Sequence, residues 1–166
     1  MRVSRFTTST FASLLIGVLA AATPALAQEA HHVVVPPDKV QWGPAPPFLP
    51  PGAQIAVLEG NPAEKGSVTL RLKFPANYVI PAHWHTMAER VTVLSGTFNI
   101  GAADTVDRSA SQALGVGGFV SLPSKMHHYA WVKTPTVVQV MLEGPFDIFY
   151  VHANEDPQKT AAPATK

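Results

Sequence analysis

From Ala53 onward the chain is written in short runs of period two. Ser67–Phe74 is the clearest of them: Val68, Leu70, Leu72 and Phe74 share one face, while Thr69, Arg71 and Lys73 share the other. That alternation predicts a half-exposed strand. Strand-sized runs recur at Gln54–Leu58, Tyr78–Ile80, Arg90–Leu94, Thr97–Ile100, Phe119–Leu122, Tyr129–Val132 and Asp147–Val151, with turn-forming residues between them. Thr136–Leu142 is apolar on both faces apart from Gln139 and predicts a strand covered on both sides. Ser95-Gly96 predicts a tight hairpin between its flanking runs. Asp107–Leu114 is the one stretch that reads as a helix. Many short strands at this spacing, with no βαβ series, predict an all-β sandwich or barrel.

The N-terminal part has a different grammar. Arg2 and Arg5 precede an apolar run over Phe11–Ala22 that is too short to span ~30 Å of hydrocarbon. Ala25-Leu26-Ala27 then forms a small-residue cleavage site, so residues 1–27 are expected to be a secretory signal peptide cut after Ala27. A periplasmic or secreted location follows as the expectation. Residues 28–52 carry Pro36, Pro37, Pro44, Pro46, Pro47, Pro50 and Pro51 and predict an extended arm, since proline cannot serve a central strand. Within it, residues 28–36 are expected to be disordered, and Val40 and Trp42 could pack on the domain. Residues 154–166 are expected to form a disordered tail.

Composition narrows the chemistry. The 166 residues suit one domain, and 46% hydrophobic with 14% charged residues describes a globular chain. A formal charge of +1 becomes −1 once Arg2 and Arg5 leave with the leader, which offers no electrostatic footprint for nucleic acid or an anionic membrane. There is no cysteine, so disulfides, thiolate metal sites and thiol nucleophiles are excluded. Seven histidines remain as the metal-capable inventory.

His83 and His85 are separated by one residue, so on a strand their side chains point the same way from Cα atoms about 6.6–6.8 Å apart. Glu89 shares a face with Val91 and Val93, which turns its carboxylate inward, where it needs a cation or a hydrogen-bond partner. A third imidazole can come from His127 or His128; neighbours on a strand face opposite ways, so only one can join, and spacing alone does not choose. Three imidazoles and a carboxylate suit one divalent Fe, Mn, Ni, Cu, Co or Zn ion.

The full string resembles the cupins. Their first motif, G-x5-H-x-H-x(3–4)-E-x6-G, is matched by His83, His85, Glu89 and Gly96, with Asn77 in place of the opening glycine. Their second, G-x5-P-x-G-x2-H-x3-N, is matched by Gly117, Pro123 and His128, with Lys125 and Val132 as departures. The resemblance implies a cupin domain over residues 53–153, a double-stranded β-helix (jelly-roll barrel) behind the Pro-rich arm. It implies His83, His85, Glu89 and His128 as metal ligands, and so selects His128 over His127. It also implies action on a small molecule, most readily by a metal-dependent oxidoreductase of dioxygenase type. A metal-dependent isomerase or lyase and a non-catalytic ligand-binding or sensor cupin share the same ligand set, and the residues do not choose between enzyme and binder. Catalytic residues beyond the ligands, the substrate and the metal are not readable.

Other residues carry weaker signals. His127 is expected to face outward, His31 and His32 to be solvated, and His152 to be structural. Tyr129, Trp131, Met141 and Phe146 could line a cavity. Gln139 would be a hydrogen-bond partner to the site or an edge residue. The two apolar faces of Thr136–Leu142, with cupin barrels commonly pairing, give a homodimer as the expected assembly.

Overall fold

The Val68–Phe74 alternation lies in the longest strands of a two-sheet barrel. The structure is a computed structural model, and it describes residues 32–160. The strands in chain order are β1 (Gly43–Pro44), β2 (Gln54–Glu59), β3 (Gly66–Phe74), β4 (Val79–Trp84), β5 (Glu89–Ser95) and β6 (Phe98–Gly101). They continue with β7 (Gln112–Leu114), β8 (Phe119–Leu122), β9 (His128–Trp131), β10 (Thr136–Gly144) and β11 (Phe149–Tyr150). One sheet runs β1-β2-β3-β10-β5-β8 and the other β11-β4-β9-β6-β7, with every pairing antiparallel.

The core is the space between the sheets. Val68, Leu70, Leu72 and Phe74 of β3 meet Val138, Val140 and Leu142 of β10 and Val91 and Val93 of β5. Ile80, Phe98, Ile100 and Ala130 face them from the second sheet. Each large apolar side chain taken fully out of water contributes roughly 1.5–3 kcal/mol, so this layer dominates the stability.

Four expectations are corrected. Asp107–Leu114 is not helical: residues 107–111 form a turn and Gln112–Leu114 is β7. The Asp107 carboxylate accepts the backbone N–H groups of Ser109 (2.8 Å) and Ala110 (3.3 Å), an Asx turn that competes with a helix. Tyr129 donates its hydroxyl to the Asp107 carbonyl, and Trp131 Nε1 donates to Ser111 Oγ at 2.9 Å, so the loop lies back over β9. Ser95-Gly96 is not a hairpin either, because β5 and β6 belong to different sheets. Gly96, at φ 77°, instead turns the corner between them against Pro135 and Thr136, where a Cβ would lie 2.6 Å from a backbone oxygen.

The outer face of β10 is the third correction: Val137 and Gln139 are only half-buried and Met141 is exposed, so this chain alone does not cover it. Gln139 sits there in a central strand, accepting from Arg71 Nε at 3.2 Å, far from both of its expected roles. Fourth, residues 154–160 are not a featureless tail; Ala153–Glu155 forms a 3₁₀ turn and Pro157–Thr160 one α-helical turn. The leader, His31 and the last six residues of the tail lie outside the described residues.

The arm packs on the barrel. Among its described residues the arm has one strand, the two-residue edge β1, as proline demands. Lys73 Nζ lies 4.1 Å from the centre of the Trp42 ring. Leu49 is buried in the core, Tyr150 donates its hydroxyl to the Phe48 carbonyl at 2.7 Å, and Tyr78 donates its own to the Pro50 carbonyl.

Candidate metal centre

Strict alternation along β4 would send Ile80 and Ala82 inward and His83 outward. A bulge changes that. Ile80 pairs with Ala130 and His83 with His128, so three steps on β4 oppose two on β9. The extra residue falls at Pro81-Ala82, where proline is tolerated because the ladder is already broken. The bulge turns His83 to the face that Ile80 occupies, and His85 follows two residues on. His128 opens β9 opposite His83, and Glu89 opens β5 in the facing sheet.

The three imidazoles offer ligand atoms that all lie within 4.8 Å of one another. All three are buried, as is Glu89. Glu89 Oε2 lies 3.6 Å from His85 Nε2 and 3.7 Å from His128 Nε2, too far for good hydrogen bonds and close enough for one ion to sit among them.

Backbone carbonyls fix how each ring presents itself. His83 Nδ1 lies 2.6 Å from the Pro81 carbonyl, His85 Nδ1 2.5 Å from that of Asp147, and His128 Nδ1 2.9 Å from that of Met126. A carbonyl only accepts, so each Nδ1 carries the proton and each Nε2 lone pair is free to face the centre. Among the described residues, Nε2 of His85 and of His128 are buried with no hydrogen-bond partner. Orphaned buried nitrogens are costly and uncommon. A divalent transition ion would satisfy them, so the residues fit such an ion.

The electrostatics agree. Burial pushes His83 well below the ordinary imidazole value, with His128 and His85 adding to the effect, so it is neutral as a ligand must be. Burial alone would raise Glu89, but His128 and His85 outweigh it and hold the carboxylate well below its usual range. Burial also pulls His85 down, and Glu89 with the Asp147 carbonyl reverses this to a net rise. The group therefore lowers its energy by gathering positive charge beside Glu89.

The four side chains line a cavity whose other thirteen lining residues are all apolar, among them Leu49, Ile100, Val138, Phe146 and Ile148. The cavity volume is about 30 Å³, room for about two waters at roughly 10–15 Å³ each.

The profile of the ChrR cupin-like domain matches residues 30–147, most of the chain. The chain belongs to the ChrR cupin-like domain family. No curated protein matches the sequence. Among solved structures, this cupin is similar to the polyketide cyclase RemF from Streptomyces resistomycificus, with 17% identity over 80% of this chain and 95% of that one and a TM-score of 0.61. It is similar to a candidate acetylacetone dioxygenase from Methylibium petroleiphilum, with 19% identity, 80% and 90% coverage and a TM-score of 0.61. An RmlC-like cupin from Shewanella frigidimarina follows at 15% identity, 70% and 94% coverage and a TM-score of 0.53. At such identities the likeness is one of fold.

The cupin turns survive their substitutions. Asn77 and Lys125, which stand where the family motifs have glycine, both adopt φ 61°. His127 points away from the centre, its Nδ1 2.7 Å from Asp104 Oδ1 at the exposed surface. His32 is exposed, and His152 lies beyond β11 with its Nε2 buried and unpaired. Of the four suggested cavity residues, only Phe146 lines the site; Tyr129 and Trp131 lie under the 107–111 loop, and Met141 is on the outer face.

Sequence reading missed Asp147. Its carbonyl holds His85, and its carboxylate accepts the Thr86 backbone N–H at 2.8 Å and the Thr86 hydroxyl at 2.5 Å. Ser124 Oγ donates to the Thr86 carbonyl at 2.6 Å and Lys125 N donates to the His85 carbonyl at 2.8 Å, so the end of β4 is clamped from two loops. Nothing local in the sequence marks Asp147, because its partners are 61 and 62 residues away.

Proposed function

We propose that this cupin binds one divalent transition metal through His83, His85, Glu89 and His128 and acts on a small molecule as an oxidoreductase of dioxygenase type. The observation that carries the reading is the set of three imidazoles, each with Nδ1 tied to a carbonyl, whose ligand atoms lie within 4.8 Å of one another, with Nε2 of His85 and of His128 facing the Glu89 carboxylate. Four protein donors leave one or two positions of a five- or six-coordinate ion for an exogenous ligand, unlike a closed structural site. The bound ion, if Fe, Mn, Ni or Cu, would supply an electrophilic and redox-active centre. The protein's own part is to fix the three imidazoles through their Nδ1 atoms, hold Glu89 ionised and enclose the ion in apolar walls. The fold it shares with a candidate acetylacetone dioxygenase makes oxygen chemistry on a diketone or a phenol the first chemistry to try.

The test has two stages. Elemental analysis of protein purified without added metal should find about one transition ion per chain, lost in His83→Ala and His85→Ala. Oxygen-electrode assays with 1,3-diketones and phenols should then show consumption that depends on the ion. Full metal occupancy in both variants would overturn the ligand assignment. A loaded protein that consumes no oxygen with any of these compounds would overturn the dioxygenase reading.

The site of action is proposed to be the periplasm, on the strength of the leader over residues 1–27; intact mass of the exported protein should begin at Gln28. A homodimer is proposed from the outer face of the six-stranded sheet, where Leu94, Phe119 and Met141 are exposed together. Light scattering that gives a monomer at tens of micromolar would remove it.

A further inference from the structure

The arm does more than cover the barrel. Leu49 sits between Pro46-Pro47 and Pro50-Pro51, with its N–H donating to the Pro46 carbonyl at 3.0 Å. The carbonyls on either side of it, of Phe48 and Pro50, are held by the hydroxyls of Tyr150 and Tyr78. A leucine pinned on both flanks by a stiff backbone has little freedom to move. Its side chain is only 7% exposed and lines the same cavity as the three imidazoles and Glu89. From the opposite strand connection, Phe146 enters the cavity with its ring centroid 5.1 Å from that of His85. The Phe48 ring meets the Phe146 ring edge-on at 5.7 Å, which links the two elements.

The lining has a second property. Among the described residues, and apart from the four candidate ligands, it presents no hydroxyl, amide or charged side chain. A sugar or a molecule with a second carboxylate would leave polar groups unpaired there, at a cost of several kcal/mol for a buried charge.

We propose that Leu49 and Phe146 set the size limit of this site, and that its ligand is a small molecule with one oxygen-rich, metal-binding end and an uncharged apolar remainder. The proposal rests on the metal-site reading above. Leu49 is a specificity-determining residue contributed by the Pro-rich arm, outside the barrel motifs.

Cobalt(II) bound to the protein and followed by its visible absorption provides the test, with hydroxamates as chelating probes whose tails vary. Acetohydroxamate and pentanohydroxamate differ by three methylenes. At ~0.8 kcal/mol per buried methylene and about 1.4 kcal/mol per tenfold, an open apolar cavity would favour the longer probe by about 50-fold. In the unsubstituted protein pentanohydroxamate should bind no more tightly than acetohydroxamate. In Leu49→Ala the ratio should move toward the longer probe by up to about 50-fold. Phe146→Ala should move it the same way, and Leu49→Val, which removes one carbon and protects against loss of folding, should move it by less. The monohydroxamate of succinic acid, with a carboxylate tail, should bind more weakly than its apolar counterpart in every variant.

A chain-length ratio unchanged in all three variants, or a carboxylate tail bound as well as an apolar one, would overturn the proposal while a normal cobalt spectrum leaves the metal site standing. An unsubstituted protein that takes up no cobalt would overturn the metal reading and this proposal with it.

Discussion

Removing the Asp147 carboxylate should weaken metal binding as well as the fold. Asp147→Ala keeps the backbone carbonyl that accepts His85 Nδ1 at 2.5 Å, but it deletes both bonds to Thr86, at 2.8 and 2.5 Å. Thr86 is exposed, so water can replace what its N–H and hydroxyl lose, and the stability cost should be about 1 kcal/mol. The carbonyl that orients the imidazole is then no longer fastened to the next residue of the same strand end. Loss of an outer partner of a metal-ligating histidine typically costs 10–100-fold in affinity; here the partner stays and only its anchor goes, so the loss should be at most about tenfold, or about 1.4 kcal/mol. Asp147→Asn retains one oxygen for the Thr86 N–H and should recover part of the loss. Competition titrations with cobalt or zinc, run beside a denaturant melt, separate the two effects. Affinity within twofold of the unsubstituted protein in Asp147→Ala, together with a clear loss of stability, would show that the clamp serves the loop alone and refute this reasoning.

Three further outcomes are expected. His128→Ala should lose metal, while His127→Ala should keep it and forfeit only an exposed pair with Asp104 worth about 0–1 kcal/mol; metal analysis that reverses the two would refute the register. Burial raises the Tyr78 and Tyr150 hydroxyls above the ordinary value of 10.0, so the fold binds their neutral forms. The stability they lend is therefore complete below pH about 10 and lost above it as both stop donating to the arm carbonyls, and late tyrosinate absorbance with concurrent loss of near-UV ellipticity checks this. All tyrosinate forming near pH 10 with an unchanged ellipticity would count against it. Lys125→Gly should raise stability by up to about 1 kcal/mol in a denaturant melt. A left-handed non-glycine residue costs roughly 1–2 kcal/mol, partly offset by the roughly 0.5–1 kcal/mol of extra chain entropy that glycine loses.

Much of this molecule is legible in local pattern. The Val68–Phe74 alternation marks an edge between core and solvent that any packed sheet must respect, and β3 turns those residues inward as expected. The intervals linking His83, His85, Glu89 and His128 are legible because they are set by three strand ends and their turns. Even the replacement of glycine by Asn77 and Lys125 leaves the left-handed turns in place. Where local signals compete, the pattern misleads. Asp107–Leu114 has helix-compatible residues, but the Asp107 side chain and the hydroxyl of Tyr129, a residue of another strand, capture its backbone.

Tertiary structure decided the rest, because the deciding partners are distant in the chain. Gly96 turns a corner rather than a hairpin because β5 finds its neighbours in β10 and β8. Leu49 becomes part of the cavity because Tyr150, 102 residues beyond the Phe48 carbonyl it holds, and Tyr78, on the Pro50 carbonyl, anchor the arm. The inward aim of His83 depends on one unpaired residue at Pro81-Ala82, and a period-two pattern cannot reveal it. A strand's alternation reports which face is buried, whereas a bulge is a mismatch between two strands and exists only once β4 and β9 are paired.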